Sequence, residues 1–221
     1  MARRLHRPQR YWKDIYVNDA VLTDRFLPGL LALPAHERIL AAARDLFCRH
    51  GIHATGIDKI LSSASASKMT LYSHFGSKDA LLRQVLLREG ADWRASFFSA
   101  VQAAESPERQ LRSVISATAG WYRGGRFFGC AFMNAIAEHD KGELWLREIA
   151  AEHHAIVLAF LSELAREAGY SEPKILSRQL LLLIDGATAA LMVTGDETVI
   201  TIAERNLAAI LASAVAVADQ A

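Results

Sequence analysis

The sequence predicts an all-α protein. Hydrophobic residues make up 52% of its 221 residues, prolines number only five, and the strong helix formers Ala, Leu, Glu and Arg are plentiful. Apolar residues recur at three- and four-residue spacing, and no segment alternates with the period of two that a half-buried strand requires. Gly51, Gly76, Gly124-Gly125, Gly142, Gly169 and Gly195 interrupt the periodic runs where helices would stop. There is no repeat or low-complexity tract.

Each element has its own warrant. Residues 1–35 show no clean period, and Arg3, Arg4, Arg7, Arg10 and Lys13 precede the first acid, Asp14. This segment reads as a basic extension, disordered or loosely docked. A basic arm along DNA and an upstream start-site artefact are the other readings. From His36, the positions Ile39, Leu40, Ala43, Leu46 and Phe47 keep helical spacing up to His50-Gly51. A short helix is expected over 57–64, with Thr55 as N-cap and Asp58 in its first turn. A third covers 68–74 behind Ser67. Ser77 caps a fourth, over 77–104, whose stripe is Leu82, Leu86, Trp93, Phe97 and Val101. It would span roughly 40 Å. Pro107 suits a first helical turn, and further helices are expected at 107–122, 129–139, 143–168, 173–193 and 197–218.

Charge is unevenly placed. The formal net charge is +1, yet residues 1–90 hold 14 Lys/Arg against 8 Asp/Glu, and residues 91–221 hold 11 against 16. This asymmetry points to a polyanion partner for the first half only. Cys48 and Cys130 sit in expected helices without a partner pattern, which suits a reducing compartment. Buried helical cysteines also make poor redox sensors. No apolar segment follows the basic N-terminus as in a secretory signal. The run Leu180–Val193 is broken by Asp185, Gly186 and Thr188 and is too short to cross a bilayer. A soluble, cytoplasmic protein is expected. No P-loop, HExxH or GxSxG occurs, so neither an enzyme nor a cofactor is expected.

The stretch Ser63–Leu81, SASASKMTLYSHFGSKDAL, carries the function. Three short helices with a tight turn between the second and third follow the helix-turn-helix plan. A helix entering the major groove needs an apolar face toward its domain, here Leu71 and Phe75. Its other face must offer donors to phosphates and base edges, here Ser67, Lys68, Thr70, Tyr72, Ser73 and His74. The next helix begins at Ser77-Lys78, whose free N–H groups and ammonium suit a phosphate.

Residues 36–85, with the pattern SKxTLYxHFxSKxxL, resemble the DNA-binding domain of the TetR family of transcriptional repressors. More weakly, GCAFMNAIAEH at Gly129–His139 resembles a segment of the family's regulatory domains. After the basic extension at 1–35, the resemblance implies a DNA-binding domain at 36–84 with its motif at about 56–75, and a ligand-binding and dimerisation domain at 85–221. It places Thr55, Tyr72 and Lys78 on phosphates, and Lys68, Met69, Thr70, Ser73 and His74 toward the groove. It implies a homodimer on a palindromic operator, released by a small effector. Three departures stand out: Ser65 where the turn usually has Gly, Gly56 in place of a hydroxyl residue, and the long extension.

The second half offers a candidate pocket of Trp121, Tyr122, Phe128, Phe132 and Asn134, with His153 and Asp185 from later helices. An apolar or aromatic effector fits such a lining. Asp185 lies within an apolar helix and must be paired, solvated or functional; Arg178 and Arg205 are possible partners. The last two helices are apolar on more than one face, and Gly186, Ala187, Ala189 and Ala190 permit close approach of a second copy. The alternative is a metal-responsive regulator using Glu138, His139 and His153, although His153 and His154 point about 100° apart on a helix and chelate poorly together. Gly90, inside the fourth helix, is either a flexing point between DNA and pocket or room for a neighbouring helix.

Overall fold

The computed structural model describes residues 32–123, 127–140 and 142–214. Most of the basic extension, the Gly124-Gly125 pair and the last seven residues, with Ala218, lie outside them. Among the described residues there are ten helices and no strand: α1 (Ala35–His50), α2 (Ile57–Ala64), α3 (Lys68–Phe75), α4 (Lys78–Gln102), α5 (Pro107–Arg112), α6 (Val114–Tyr122), α7 (Ala131–Glu138), α8 (Leu144–Glu167), α9 (Pro173–Thr194) and α10 (Thr198–Ser213).

The helix-turn-helix unit forms for mostly local reasons. The α1 stripe Ile39, Leu40, Ala43, Leu46 and Phe47 is buried as its spacing requires. Ser67 caps α3 by accepting the Thr70 N–H at 3.1 Å, and Ser77 caps α4 by accepting that of Ala80 at 3.0 Å. Leu71, fully buried, anchors α3 on the domain, a burial that contributes about 2–3 kcal/mol. Thr55 does not cap α2. The cap position is Gly56, and the buried Thr55 hydroxyl lies 2.7 Å from the Gly51 carbonyl and 3.2 Å from that of Leu46. It closes the α1–α2 loop instead.

The turn between α2 and α3 bears the expected strain. Ser65 is left-handed at φ 48, where a side chain crowds the backbone. Arg38 holds it there: Nε donates to the Ala64 carbonyl at 2.8 Å, Nη2 to that of Ser65 at 2.9 Å, and Nη1 to that of Leu33 at 2.8 Å. The first two satisfy carbonyls that the end of α2 leaves without helical partners.

Three expected boundaries move, the last helix ending at Ser213 rather than at 218 because Ala214 is extended at ψ 130. The helix expected over 107–122 breaks at Ser113, whose hydroxyl donates to the Gln110 carbonyl at 2.8 Å and competes with the helical ladder. The helix expected from 129 starts at Ala131, because Gly129 is left-handed at φ 84.

Two hydrophobic cores result. One joins α1–α3 and the first half of α4, and it also takes in Phe132 and Ala135 of α7 and Leu146, Ile149 and Ala150 of α8. The other runs from Phe97 and Val101 through α5, α6 and α8 to Leu207 and Leu211 of α10. The first core therefore crosses the expected boundary at residue 85. Arg44 of α1 reinforces this by pairing with Glu89 and with Asp92, the latter at 3.0 Å, both on α4. With 22 residues and a mean hydropathy of 1.4 in its most apolar window, α9 has the length and composition of a membrane span. It nonetheless packs Leu176, Leu180, Ile184 and Leu191 into the second core between α8 and α10.

Candidate nucleic-acid interface and effector site

On α3 the alternation of faces is clear. Leu71 is inside, whereas Met69 is 81% and Tyr72 51% exposed, with Lys68, Ser73 and His74 exposed beside them. Several of these groups are engaged in the free protein. Lys68 Nζ lies 2.9 Å from Asp58 on α2, and this hydrogen bond raises its pKa. Both side chains are well exposed, so a phosphate can replace the carboxylate at little cost. The Ser67 and Thr70 hydroxyls lie 2.9 Å apart, and the Ser73 hydroxyl donates to the Thr70 carbonyl at 3.1 Å. His74 stacks on His36 of α1 at 4.6 Å, so it faces the domain as well as the solvent. Met69 and Tyr72 are thus the freest groups of the surface.

Two expected phosphate ligands are placed differently. The Thr55 hydroxyl is buried and used internally, so no phosphate reaches it. Lys78 Nζ donates to the Ile52 carbonyl at 2.6 Å and lies 5.9 Å from the centre of the Phe47 ring. An ammonium has three donors, which leaves protons for a phosphate. Lys78→Ala should therefore lower the salt slope of DNA binding by roughly one unit and, through the lost tie, stability by about 1–2 kcal/mol. Salt-dependent anisotropy and thermal melts check both. A melt that moved while the slope stayed fixed would make Lys78 purely structural.

In the second half, an aromatic cluster joins α4, α6, α7 and α8. Trp93 stacks on Phe97 at 4.8 Å and meets Trp121 at 6.1 Å and His153 at 5.5 Å. Phe132 stacks on His153 at 4.5 Å. Trp121 and Tyr122 both contact Phe127, at 4.9 and 5.3 Å. The buried Tyr122 hydroxyl lies 3.1 Å from that of Thr188, which itself donates to the Ile184 carbonyl.

Trp121, Tyr122, Phe132 and His153 thus come together as expected, but Phe128 and Asn134 do not join them. The Phe128 ring lies under Arg49 of α1 at 5.8 Å, and Asn134 Nδ2 donates to the Phe128 carbonyl at 2.8 Å. Phe127 takes the place expected of Phe128; adjacent aromatics in a loop carry no periodicity by which to choose between them. Asp185 pairs with neither Arg178 nor Arg205. It faces His154 at 3.6 Å, and burial raises its pKa. Trp93 extends the expected lining, and Arg94 and Thr188 had no distinguishing pattern in the sequence.

The metal-responsive alternative is not supported. Glu138 accepts the backbone N–H groups of Ile52 at 2.7 Å and His53 at 3.1 Å. His139 Nδ1 lies 2.9 Å from the Ala135 carbonyl, and His153 Nδ1 accepts from Arg94 at 2.8 Å. Among the described residues no three His, Cys, Asp or Glu side chains are grouped to hold an ion. The cysteines are unsuited to redox sensing: burial pushes the Cys48 thiol up to about 12 and raises that of Cys130, suppressing both thiolates.

Glu138 has a further significance. It ends α7 and holds the α1–α2 loop from 86 residues away, while the His53 ring nitrogen Nε2 meets the Glu138 carbonyl at 2.7 Å. Lys78 grips the same Ile52 from its carbonyl side. The other end of α7 carries Phe132, in the aromatic cluster.

A helix-turn-helix unit with an exposed donor-bearing third helix, joined by a long helix to a second helical core, defines a DNA-binding regulator. Residues 39–85 match the family described as bacterial regulatory proteins, tetR family. SCO4454, a TetR-family transcriptional regulator from Streptomyces coelicolor, is similar over 80% of this chain and 94% of its own, with 32% identity and a TM-score of 0.73. The transcriptional regulator UidR of Escherichia coli (strain K12) is 33% identical over 87 residues, 39% of this chain and 44% of UidR, so the match spans less than half of that relative. The uncharacterized regulator MT1294 of Mycobacterium tuberculosis is 27% identical over 74% of this chain and 77% of its own length. The chain belongs to the TetR family of DNA-binding transcriptional regulators.

Proposed function

We propose that the protein is a homodimeric repressor that leaves a palindromic operator when a small apolar or aromatic effector occupies the cluster around Trp93, Trp121 and Phe132. The observation that carries this reading is α7, which touches both functional regions. Phe132 stacks in the aromatic cluster, and six residues on Glu138 holds the loop that positions α2 and α3. A shift of α7 on effector binding moves that loop, and with it the recognition helix. Two recognition helices must stay about 34–36 Å apart to enter successive major grooves, so a small displacement lowers affinity. By linkage, the effector binds more weakly to the DNA complex than to free protein.

Anisotropy titrations on palindromic segments upstream of the gene, against scrambled DNA at matched salt, test the reading. Operator affinity about 10³-fold or more above scrambled DNA is expected; equal affinity would sink it. Glu138→Ala tests the coupling. It should speed amide exchange at Ile52 and His53 and shrink the effector's influence on operator affinity toward none. Unchanged exchange at both amides would remove the clasp from the mechanism.

A further inference from the structure

We propose that Arg94 and His153 form a carboxylate-recognition point, so that the effector is an aromatic acid bound as its monoanion. This rests on the effector pocket proposed above and names the class of ligand it takes.

Arg94 is a half-buried cation on α4, and its hydrogen bond runs to a neutral acceptor, His153 Nδ1, at 2.8 Å. No carboxylate of the described residues pairs with it. Arg44, also in contact with α4, shows the ordinary solution, for it has both Glu89 and Asp92. Because a guanidinium can only donate, Nδ1 must be unprotonated and the proton of the neutral imidazole lies on Nε2. Burial, reinforced by Arg94, lowers the His153 pKa to about 4, so His153 does not titrate at neutral pH. The pair therefore carries a full positive charge, and no carboxylate of the described residues makes direct ion-pair contact with it.

Its surroundings are aromatic. Phe132 stacks on His153, and Trp93 lies 5.5 Å from it, leading to Trp121. Flat apolar walls beside a guanidinium match a planar ring bearing a carboxylate, which Arg holds through two parallel N–H bonds. Gly90 makes room for this arrangement. A Cβ there would stand 3.0 Å from Arg94 Nη1, 3.0 Å from His153 Nδ1 and 2.8 Å from Phe132 Cζ. The absent side chain lets guanidinium, imidazole and phenyl ring converge on the backbone of α4. On the far side of His153, its neighbour His154 faces Asp185 at 3.6 Å. That carboxylate disfavours a second negative charge on the ligand.

Calorimetry with 1-naphthoate and its methyl ester, on the full chain, tests the assignment. Naphthoate should bind about 10- to 150-fold more tightly than the ester, the range spanned by charge-assisted hydrogen bonds. Arg94→Met should abolish that preference, acid and ester then binding alike, and the circular-dichroism melt, lowered by loss of the His153 bond, reads how much of the chain stays folded. Should Arg94→Met fail to fold, Arg94→Lys keeps the charge without the fork and should lose most of the preference. Equal binding of acid and ester by the wild type overturns the carboxylate point but leaves the apolar pocket standing. A preference that survives both substitutions also overturns it. Binding of neither probe, nor of naphthalene, overturns the pocket and the carboxylate point together.

Discussion

Replacing Leu182 with Glu should turn the protein into a monomer and lower operator affinity by about 10²- to 10⁴-fold, the gain that linking two binding modules supplies. Leu182 is 73% exposed in the single chain, and Val193 at 79% and Ile175 at 51% accompany it on α9, with Ile202 at 53% on α10. Exposed apolar residues gathered on neighbouring helices mark a contact surface, and the exposed Gly186 and Ala189 let a second backbone approach. The opposite faces of these helices are core, through Leu180, Ile184, Leu207 and Leu211. Truncating α10 would therefore strip the core as well as the surface, whereas Leu182→Glu touches the surface alone. Sedimentation velocity reads the assembly and anisotropy the affinity. A Leu182→Glu protein that stayed dimeric would show that the two helices do not form the interface.

Replacing Arg38 with Ala should destabilise the DNA-binding unit by about 2–3 kcal/mol, since three charge-assisted contacts are lost. The carbonyls of Leu33, Ala64 and Ser65 lose their donor together, and the left-handed Ser65 loses what holds it. Operator affinity should fall with it, because the α2–α3 turn sets the recognition helix. Arg38→Lys should rescue little, as an ammonium cannot reach three divergent carbonyls. Ser65→Gly should act in the opposite sense, adding about 1 kcal/mol by relieving the positive φ. Denaturant unfolding measures all three. An Arg38→Ala protein with wild-type stability would show that the turn holds itself.

What was legible in the sequence was short-range. The stripe of α1, the caps at Ser67 and Ser77, the buried Leu71 and the exposed face of α3 each depend on residues at most a few helical turns apart. Periodicity and capping rules reach that far. The break at Ser113 is not legible because a serine inside a helical pattern can face solvent or compete with the ladder, and spacing alone does not distinguish the two.

Function at long range was not legible. Lys78 reads as a phosphate ligand, and only the fold adds the Ile52 carbonyl as a second partner for its ammonium. Thr55 has the polarity of a cap or phosphate ligand, yet the packing of α1 against α2 turns its hydroxyl inward. Gly90 looked equally like a hinge or a space-filler. Its neighbours Phe132 and His153, 42 and 63 positions on, leave no room for a Cβ and make it a packing site. By itself, then, the sequence determined that the chain is helical, roughly where most helices lie and which short helix presents the donor-bearing face, because those properties follow from spacing along one helix. The tertiary structure alone decided which polar groups are already engaged, which aromatics meet, and that Glu138 ties the second half to the α1–α2 loop. Such pairings join residues dozens of positions apart and depend on the distances and directions that packing creates.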